Sequence, residues 1–344
     1  MKYLSFGVNL SGTFEKNITA NSDDDSMESY HPWVTPYNED GTLKYNIKSW
    51  KNYTMDPTPL SNPLQDNKYN NVTDLKNNLF GSFSATLKPF KWLSFSSTNT
   101  LTLTNVNTND YLDSRTYSGN HSRNEMSNGV LKVDDERSWT FLTSNILRLQ
   151  HSFGEHNLSG LVGQEWYERH TRSSHIEMYD QMIAGERNVG GFSKQGDKTN
   201  PAVIPTGAER ESGSFSVFSE VNYNYAGKYM ASASFRTDGS TNFGKDNRYG
   251  TFYSFSGSWL VSREAFMARQ DVVSNLKLRM SYGTSGKEAG MDYLNYTLYS
   301  TSNTTFDYYR DHPVYQSAYG ATINQLGNDQ LSWETAYNLN IGVD

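Results

Sequence analysis

Apolar and polar residues alternate strictly in the stretch Lys228–Ser262, "KYMASASFRTDGSTNFGKDNRYGTFYSFSGSWLVS". Tyr229 and Phe235 fall on odd positions of this stretch, whereas Ser232 and Ser234 fall on even ones. A β-strand sends successive side chains to opposite faces of its sheet. The stretch therefore predicts a hairpin with one apolar face and one polar face.

The same alternation recurs along the chain and predicts about ten strands, each close to the length that a tilted strand needs to cross a bilayer. These strands are predicted at 3–14, 78–89, 91–105, 138–151, 157–169, 213–225, 228–238, 249–261, 275–284 and 331–343. Three of them, 91–105, 138–151 and 157–169, alternate less cleanly, and we expect bulges to interrupt them.

The connections between these strands alternate in length. The short ones are "KPFK" at 88–91, "FGEHN" at 153–157 and "AGK" at 226–228, and the long, polar ones are 15–77, 106–137, 170–212 and 285–330. The connection 262–275 is long for the short side, and we expect a helical turn at Glu264–Arg269 within it. Short turns on one side and long loops on the other are typical of an outer-membrane β-barrel.

The apolar face is expected to contact lipid and the polar face to line a lumen, because only a closed barrel lets strands cross hydrocarbon with every backbone group paired. This interpretation places Tyr223 and Leu278 against lipid and Ser232 and Ser256 on the luminal side. A large soluble β-sandwich or propeller, with the apolar face buried in a core, is the alternative.

Composition narrows the function. Aromatic residues make up 14% of the 344 residues, which favours strands, while the net charge of −7 leaves no basic footprint for nucleic acid. The chain has no cysteine, which excludes disulfides and thiolate chemistry. No apolar run is long enough for a transmembrane helix. The first residues, "MKYLSFGVNLSGTF", are interpreted as a strand and not as a signal peptide.

Candidate chemistry is sparse. The acidic stretch 21–29, with Asp23, Asp24, Asp25 and Glu28, offers oxygen ligands for Ca²⁺ but lacks the EF-hand spacing, which favours a solvated loop. Histidines are densest at His151, His156, His170 and His175, without a convincing metal spacing. The sequence therefore predicts no metal and no cofactor.

No catalytic residue is assigned either. The segment "HNLSG" at 156–160 contains a histidine and a serine, but no nucleophile elbow, phosphate loop or paired-carboxylate motif occurs. We therefore expect a protein that is not an enzyme.

Aromatic residues have two interpretations. Those near strand ends are candidates for girdles at the membrane interface, namely Trp92, Tyr167, Trp259, Tyr282 and Trp333. Those in loops either pack locally or stack on sugars, namely Trp33, Tyr37, Trp50, Tyr308 and Tyr309.

Four segments in the last third carry a family resemblance. They are "SASFRTDGSTNFGKDNRYGTF" at 232–252, "SWLVSREAFM" at 258–267, "NLKLRMSYGTSG" at 275–286 and "LGNDQLSWETAYNLNIGVD" at 326–344. Together and in this order they resemble the SusC/RagA-type TonB-dependent transporters of the Gram-negative outer membrane. The resemblance implies an all-β, antiparallel transmembrane barrel of 22 strands, which takes up glycans or peptides with a SusD-like surface lipoprotein and the TonB complex.

The resemblance also implies an upstream plug domain, a signal peptide and further strands, none of which is expected within residues 1–344. We therefore expect a fragment of the barrel domain, inactive alone. A passive porin-like channel and a soluble carbohydrate-binding β-protein are the alternatives.

The resemblance yields a set of motif residues but no assigned substrate-binding residue. The motif residues are Arg236, Asp238, Gly239, Phe243, Gly244, Arg248, Gly250, Gly327, Trp333 and Glu334. Arg236, Asp238, Asp246 and Arg248 lie around one hairpin loop, where they either bind sugar or gate, or else shape the loop by ionic and hydrogen-bonded contacts. The second interpretation is favoured, with glycines at positions that need unusual backbone angles.

Overall fold

The structure is a computed structural model. It describes residues 3–21, 33–49, 58–121, 128–195, 205–270, 272–288, 290, 293–302 and 320–344. The strands in chain order are β1 (Leu4–Ala20), β2 (Asn46–Ser49), β3 (Thr58–Ser61), β4 (Asn71–Phe90), β5 (Leu93–Leu112), β6 (Val130–Phe153), β7 (His156–Gln181), β8 (Phe192–Gln195), β9 (Thr206–Tyr225), β10 (Tyr229–Ser240), β11 (Tyr249–Leu260), β12 (Lys277–Lys287), β13 (Leu298–Ser302), β14 (Gly320–Gln325) and β15 (Glu334–Val343).

One antiparallel sheet dominates the fold. Its main strands pair in the order β1-β4-β5-β6-β7-β9-β10-β11-β12-β15, and β8 adds to the end of β7. The predicted strands correspond to these main strands one by one, so the antiparallel all-β fold class is confirmed. Within the described residues the sheet stays open, since β1 and β15 do not pair with each other.

Strand lengths divide the sheet into a tall part and a low part. The strands β4, β5, β6, β7 and β9 have 20, 20, 24, 26 and 20 residues, whereas β10, β11, β12 and β15 have 12, 12, 11 and 10. A strand crosses a bilayer with about 9–11 residues. The tall strands therefore continue well past that length, and they do so at the end with the long connections.

The predicted ends of the tall strands were wrong for this reason. Parts of the predicted loops 106–137 and 170–212 are strand in the structure. In this region both faces of the sheet are polar, as at the neighbours Asn107 and Thr108 of β5, which lie on opposite faces, so the apolar and polar alternation that marks a strand fades.

The expected bulges in β6 and β7 are wrong, because β5, β6, β7 and β9 pair with one another without a register shift. The pairing of β5 with β4 does shift register, between Leu87 and Phe90 of β4 beside the start of β5. The alternation in β5, β6 and β7 is imperfect because polar residues occupy the apolar face. Ser97 and Asn99 share a face with Phe95, and they lie opposite Asn145 and Thr143 of β6. Thr143 donates a hydrogen bond to Asn99 at 2.8 Å, and Asn145 donates one to Gln164 at 3.2 Å.

Short helices and small hairpins lie in the connections at the two ends of the sheet. Helices span Pro63–Tyr69 and Tyr117–His121, and two small hairpins are formed by β2 with β3 and by β13 with β14. The connection between β11 and β12 has 3₁₀ turns at Val261–Arg263 and Ala265–Met267, so the helical turn expected at Glu264–Arg269 is present in a shorter form. Within the described part of the chain, no helix is both long and apolar enough to cross a membrane.

Candidate functional site

The register of the sheet separates an outward face from a luminal face. Tyr223 lies opposite Ala231, and Leu278 lies opposite Trp259, which places all of them on the apolar, outward face. Ser232 and Ser256 lie opposite each other on the other face, and their hydroxyl oxygens are 2.6 Å apart. The two faces are grouped as the alternation predicts.

The luminal face is built from short hydroxyl and amide side chains. A second serine pair, Ser234 and Ser254, repeats the 2.6 Å contact one step along the hairpin. A cavity on this face is lined by Asn222, Asn340 and Arg279 among others. Because hydroxyl and amide groups both donate and accept hydrogen bonds, this face can stay wetted without a protein partner for each group.

Arg236 is the centre of a luminal ionic group. Its Nε donates to Asp238 at 2.6 Å, and its second guanidinium nitrogen lies 3.0 Å from Ser216 and 3.5 Å from Glu165. The Cζ atom of the guanidinium also lies 5.2 Å from the centroid of the Phe218 ring. The arginine thus ties β10 to β7 and β9 across the luminal surface.

The motif aromatics form a cluster at the end with the long connections. Phe243 is fully buried, and its ring lies 5.1 Å from that of Trp333. Phe252 meets the same indole edge-on at 5.7 Å. Gly250 lies beneath them, and a Cβ there would come within 2.7 Å of Trp333 and 2.8 Å of Phe252. Only glycine leaves room for this cluster.

The loop 241–248 is fastened to the segment before β15. A Cβ on Gly244 would lie 2.6 Å from the carbonyl oxygen of Asp329, and Asn247 donates to that carbonyl at 3.0 Å. Gly327 packs in the same way against the backbone of Tyr296 and Thr297. These contacts agree with a loop-shaping role for the motif glycines, which stays a prediction.

The other motif residues do not join the Arg236 group. Arg248 contributes its carbonyl oxygen, which accepts a hydrogen bond from Trp333 at 3.1 Å. Its Nε is buried without a hydrogen-bond partner among the described residues. Asp246 and Glu334 are exposed, and neither forms an ion pair with any described side chain. The four charged residues around the hairpin loop therefore do not form one network.

Aromatic rings follow one another along the end with the short turns. Ring centroids are separated by 4.9 Å between Phe153 and His156, by 4.7 Å between His156 and Tyr225, and by 6.3 Å both between Tyr225 and Tyr229 and between Tyr229 and Trp259. Such a row is typical of a membrane interface.

The predicted girdle residues divide between several locations. Trp92 and Trp259 lie at the end with the short turns, where Trp92 stacks on Phe90 at 5.2 Å. Trp333 is in the Phe243 cluster instead, so its girdle assignment is wrong. Tyr167 is opposite Ser214 on the luminal face, and Tyr282 is opposite Phe255, inside the outward face.

Glu264 anchors the turn next to this aromatic row. It accepts hydrogen bonds from the Tyr229 hydroxyl and from the Trp259 indole, the latter at 3.1 Å, and Lys228 lies 3.3 Å away. These hydrogen bonds, with the charge of Lys228, hold the pKa of Glu264 below its ordinary value. The turn thus keeps its carboxylate ionised beside the aromatic row.

A buried polar network at the opposite end was not anticipated from the sequence. Asp113 is fully buried; it accepts hydrogen bonds from Tyr111 at 2.7 Å and from the Arg115 side chain at 2.7 and 2.8 Å. Its backbone N–H donates to Asn70 at 2.8 Å. Burial alone would raise the pKa of Asp113, but the hydrogen bonds from Arg115 and Tyr111 outweigh it and hold that pKa below its ordinary value.

The histidines make pairwise contacts. His175 lies 2.6 Å from Asp134, His170 lies 2.9 Å from Glu209, and His156 contacts the Tyr223 hydroxyl at 2.7 Å. No group of three ligands suited to a metal ion occurs in the described ranges. The acidic residues Asp23, Asp24, Asp25 and Glu28 and the aromatics Trp50, Tyr308 and Tyr309 lie outside the described residues.

Comparisons with known proteins agree with this architecture. The family model described as TonB dependent receptor-like, beta-barrel matches residues 10–344. The chain is 30% identical over 315 residues to TonB-dependent receptor P26 of Formosa agariphila. This alignment covers 90% of the chain and 29% of that protein. The chain is also 34% identical over 130 residues to TonB-dependent receptor SusC of Bacteroides thetaiotaomicron. This alignment covers 38% of the chain and 13% of that protein.

A solved structure of the RagAB peptide transporter shares the fold. It matches with a TM-score of 0.73 at 22% identity, over 100% of this chain and 36% of the matched chain. The chain therefore spans about a third of the length of the proteins that it matches. On the match of residues 10–344 and these relatives, the chain belongs to the TonB-dependent receptor-like beta-barrel family, and the predicted resemblance to receptors of the SusC/RagA type is confirmed.

Proposed function

We propose that residues 1–344 form part of the barrel wall of an outer-membrane transporter that imports glycans or peptides with energy from TonB. The observation that carries this proposal is the two-faced sheet, with an apolar outward face, a hydroxyl-rich luminal face and an aromatic row at one end. In this arrangement the short turns lie in the periplasm and the long connections lie outside the cell.

The wall contributes passively to transport. The luminal serine and asparagine side chains are small and uncharged, so they leave space for a plug domain and offer replaceable hydrogen bonds to it. Arg236, with Asp238 and Glu165, is the charged position on this wall where a plug contact would be strongest. No residue of the wall is assigned to catalysis, and the driving force enters elsewhere in the full-length protein.

A SusD-like lipoprotein is proposed to cover the extracellular end. The tall strands β4, β5, β6, β7 and β9 raise a polar rim above the membrane, and the buried network around Asp113 stiffens that rim. A partner that closes over the lumen needs such a rigid edge. RagAB, which shares the fold, is a peptide transporter, and SusC is a TonB-dependent receptor; both glycans and peptides therefore stay open as substrates.

The test is uptake by cells that carry the full-length gene, its deletion, or the gene with tonB deleted. Growth on individual oligosaccharides and peptides as the limiting nutrient should fail in both deletions and return on complementation. Growth that survives loss of TonB would support a passive channel instead. Material that remains soluble without detergent would support the soluble carbohydrate-binding alternative.

A further inference from the structure

A cavity of about 640 Å³ opens on the outward face, at the edge of the apolar surface. Its floor is one cross-strand row, in which Trp166 lies opposite Phe215, Phe215 lies opposite Gly239, and Gly239 lies opposite Tyr249. Tyr296 closes one side from a neighbouring loop. The row belongs to the same face as the lipid-directed residues of β9 and β10.

Glycine gives the cavity its depth. A Cβ at Gly239 would come within 2.5 Å of the Tyr249 ring, so this ring lies flat over the glycine backbone. Trp166 and Phe215 meet edge to face at 6.4 Å, which leaves their remaining surfaces turned to the cavity. Trp166, Tyr249 and Tyr296 are each about half exposed or more, at 49%, 64% and 53%. Large rings are thus available to a ligand.

Polar groups complement these rings. The carboxylates of Glu168 and Glu211 line the cavity and accept hydrogen bonds. Thr241 also lines the cavity, and its hydroxyl, which accepts a hydrogen bond from the Gly213 N–H at 2.9 Å, can donate one to a ligand.

We propose that this cavity binds the sugar head group of an outer-leaflet glycolipid. Aromatic faces pack on the C–H face of a sugar ring, and sugar hydroxyls can donate to the two carboxylates while accepting from the Thr241 hydroxyl. A phosphate head group would meet the negative charge of Glu168 and Glu211. A free acyl chain would leave the polar groups unpaired.

The position of the cavity at the edge of the apolar surface favours a membrane lipid, and not a soluble saccharide, as the source of the sugar. Trp166 and Phe215 continue the apolar surface, whereas Glu168 is one step further toward the extracellular end. A glycolipid can place its chain along the first two residues and its sugar among the polar ones. The site is on the opposite face from the lumen, so it is separate from the transport route; the inference rests on the outer-membrane location proposed above.

The test uses the full-length protein in a polyoxyethylene detergent, with dodecyl maltoside as the probe. Dodecylphosphocholine, which has the same alkyl chain and a different head group, is the matched ligand. Native mass spectrometry should show saturable retention of dodecyl maltoside alone. Tyr249→Ala, Tyr296→Ala and Glu211→Gln should each weaken it about fivefold. Phe235→Ala removes an exposed aromatic from the same outward face of β10, outside the cavity, and should change nothing.

Three results would overturn the proposal. Equal retention of dodecylphosphocholine would mean that the chain and not the sugar is recognised. Free maltose that binds as tightly as dodecyl maltoside would point to a soluble saccharide. An equal loss in Phe235→Ala would indicate unspecific detergent contact. Because binding is measured on purified protein, its outcome is independent of the uptake experiment, and the two proposals can fail separately.

Discussion

Replacing Trp333 with alanine should loosen the loop 241–248 while the barrel stays in the membrane. The indole packs against Phe243 and Phe252, and its N–H donates to the carbonyl of Arg248 at 3.1 Å. Loss of a large aromatic from a packed cluster costs about 3–5 kcal/mol, and the hydrogen bond adds about 1 kcal/mol. The lower part of this range applies, because Trp333 is only partly buried.

Trp333→Phe separates the two contributions. Phenylalanine keeps most of the packing but removes the N–H donor, so a loss of about 1 kcal/mol is expected. Trp33→Ala is the matched control, since this tryptophan is 75% exposed. The transmembrane part of β10 and β11 is paired along its whole length and should not change.

The assay is limited proteolysis of the full-length protein on intact cells, read with an antibody to residues 241–248. Cleavage in the loop should be fastest in Trp333→Ala, intermediate in Trp333→Phe, and unchanged in Trp33→Ala. Heat-modified mobility on gels reports whether the barrel itself is intact. If Trp333→Ala and Trp33→Ala are cleaved at the same rate, the cluster does not hold the loop and the reasoning is refuted.

Three further predictions concern the wall and its rim. Arginine at Ala233 or Phe255, which pair with each other on the outward face near the middle of β10 and β11, should make membrane insertion less favourable by roughly 2–4 kcal/mol, whereas arginine at Ser232 or Ser256 on the luminal face should be tolerated; equal effects in urea-unfolding titrations in vesicles would show that the faces are misassigned. Replacing both Asn145 and Gln164 with leucine should stabilise the folded barrel by about 1 kcal/mol in the same titration, because both members of an amide pair on the outward face become apolar, whereas Asn145→Leu alone should not stabilise it because Gln164 loses its partner; a loss of stability in the double variant would contradict this reasoning. The pKa of Asp113 is held below its ordinary value, so the stability that its carboxylate gives the folded protein is complete above the unfolded pKa of about 4 and is lost as pH falls through the folded pKa. Cleavage of the 113–121 segment by pepsin should therefore accelerate in that acidic range in the native protein. The variant Asp113→Asn should be susceptible already at pH 5.

The order and the faces of the strands were predictable because each hairpin repeats a local signal. Alternation at Tyr229, Ser232 and Phe235 needs only neighbouring residues, and the register confirms it. Strand length was not predictable to the same degree. Above the membrane both faces meet water, so neighbours such as Asn107 and Thr108, on opposite faces of β5, show no contrast between an apolar and a polar side.

Contacts between distant segments were also beyond the sequence. Asp113 is held by Asn70, which precedes it by 43 residues, and nothing local marks either as buried. Trp333 was assigned to a girdle because it is near a strand end, but a strand end does not tell which neighbour an indole will meet. Its partners Phe243 and Phe252 come from another hairpin.

The alternation of environments along β10 tests the central claim most directly. Single cysteines, introduced as Ala231→Cys, Ser232→Cys, Ala233→Cys and Ser234→Cys in the full-length protein, can carry spin labels in bilayers. The labels at 231 and 233 should be accessible to oxygen from the lipid, and those at 232 and 234 to a water-soluble nickel complex. The same accessibility at all four positions, or the opposite phase, would contradict a lipid-facing barrel wall.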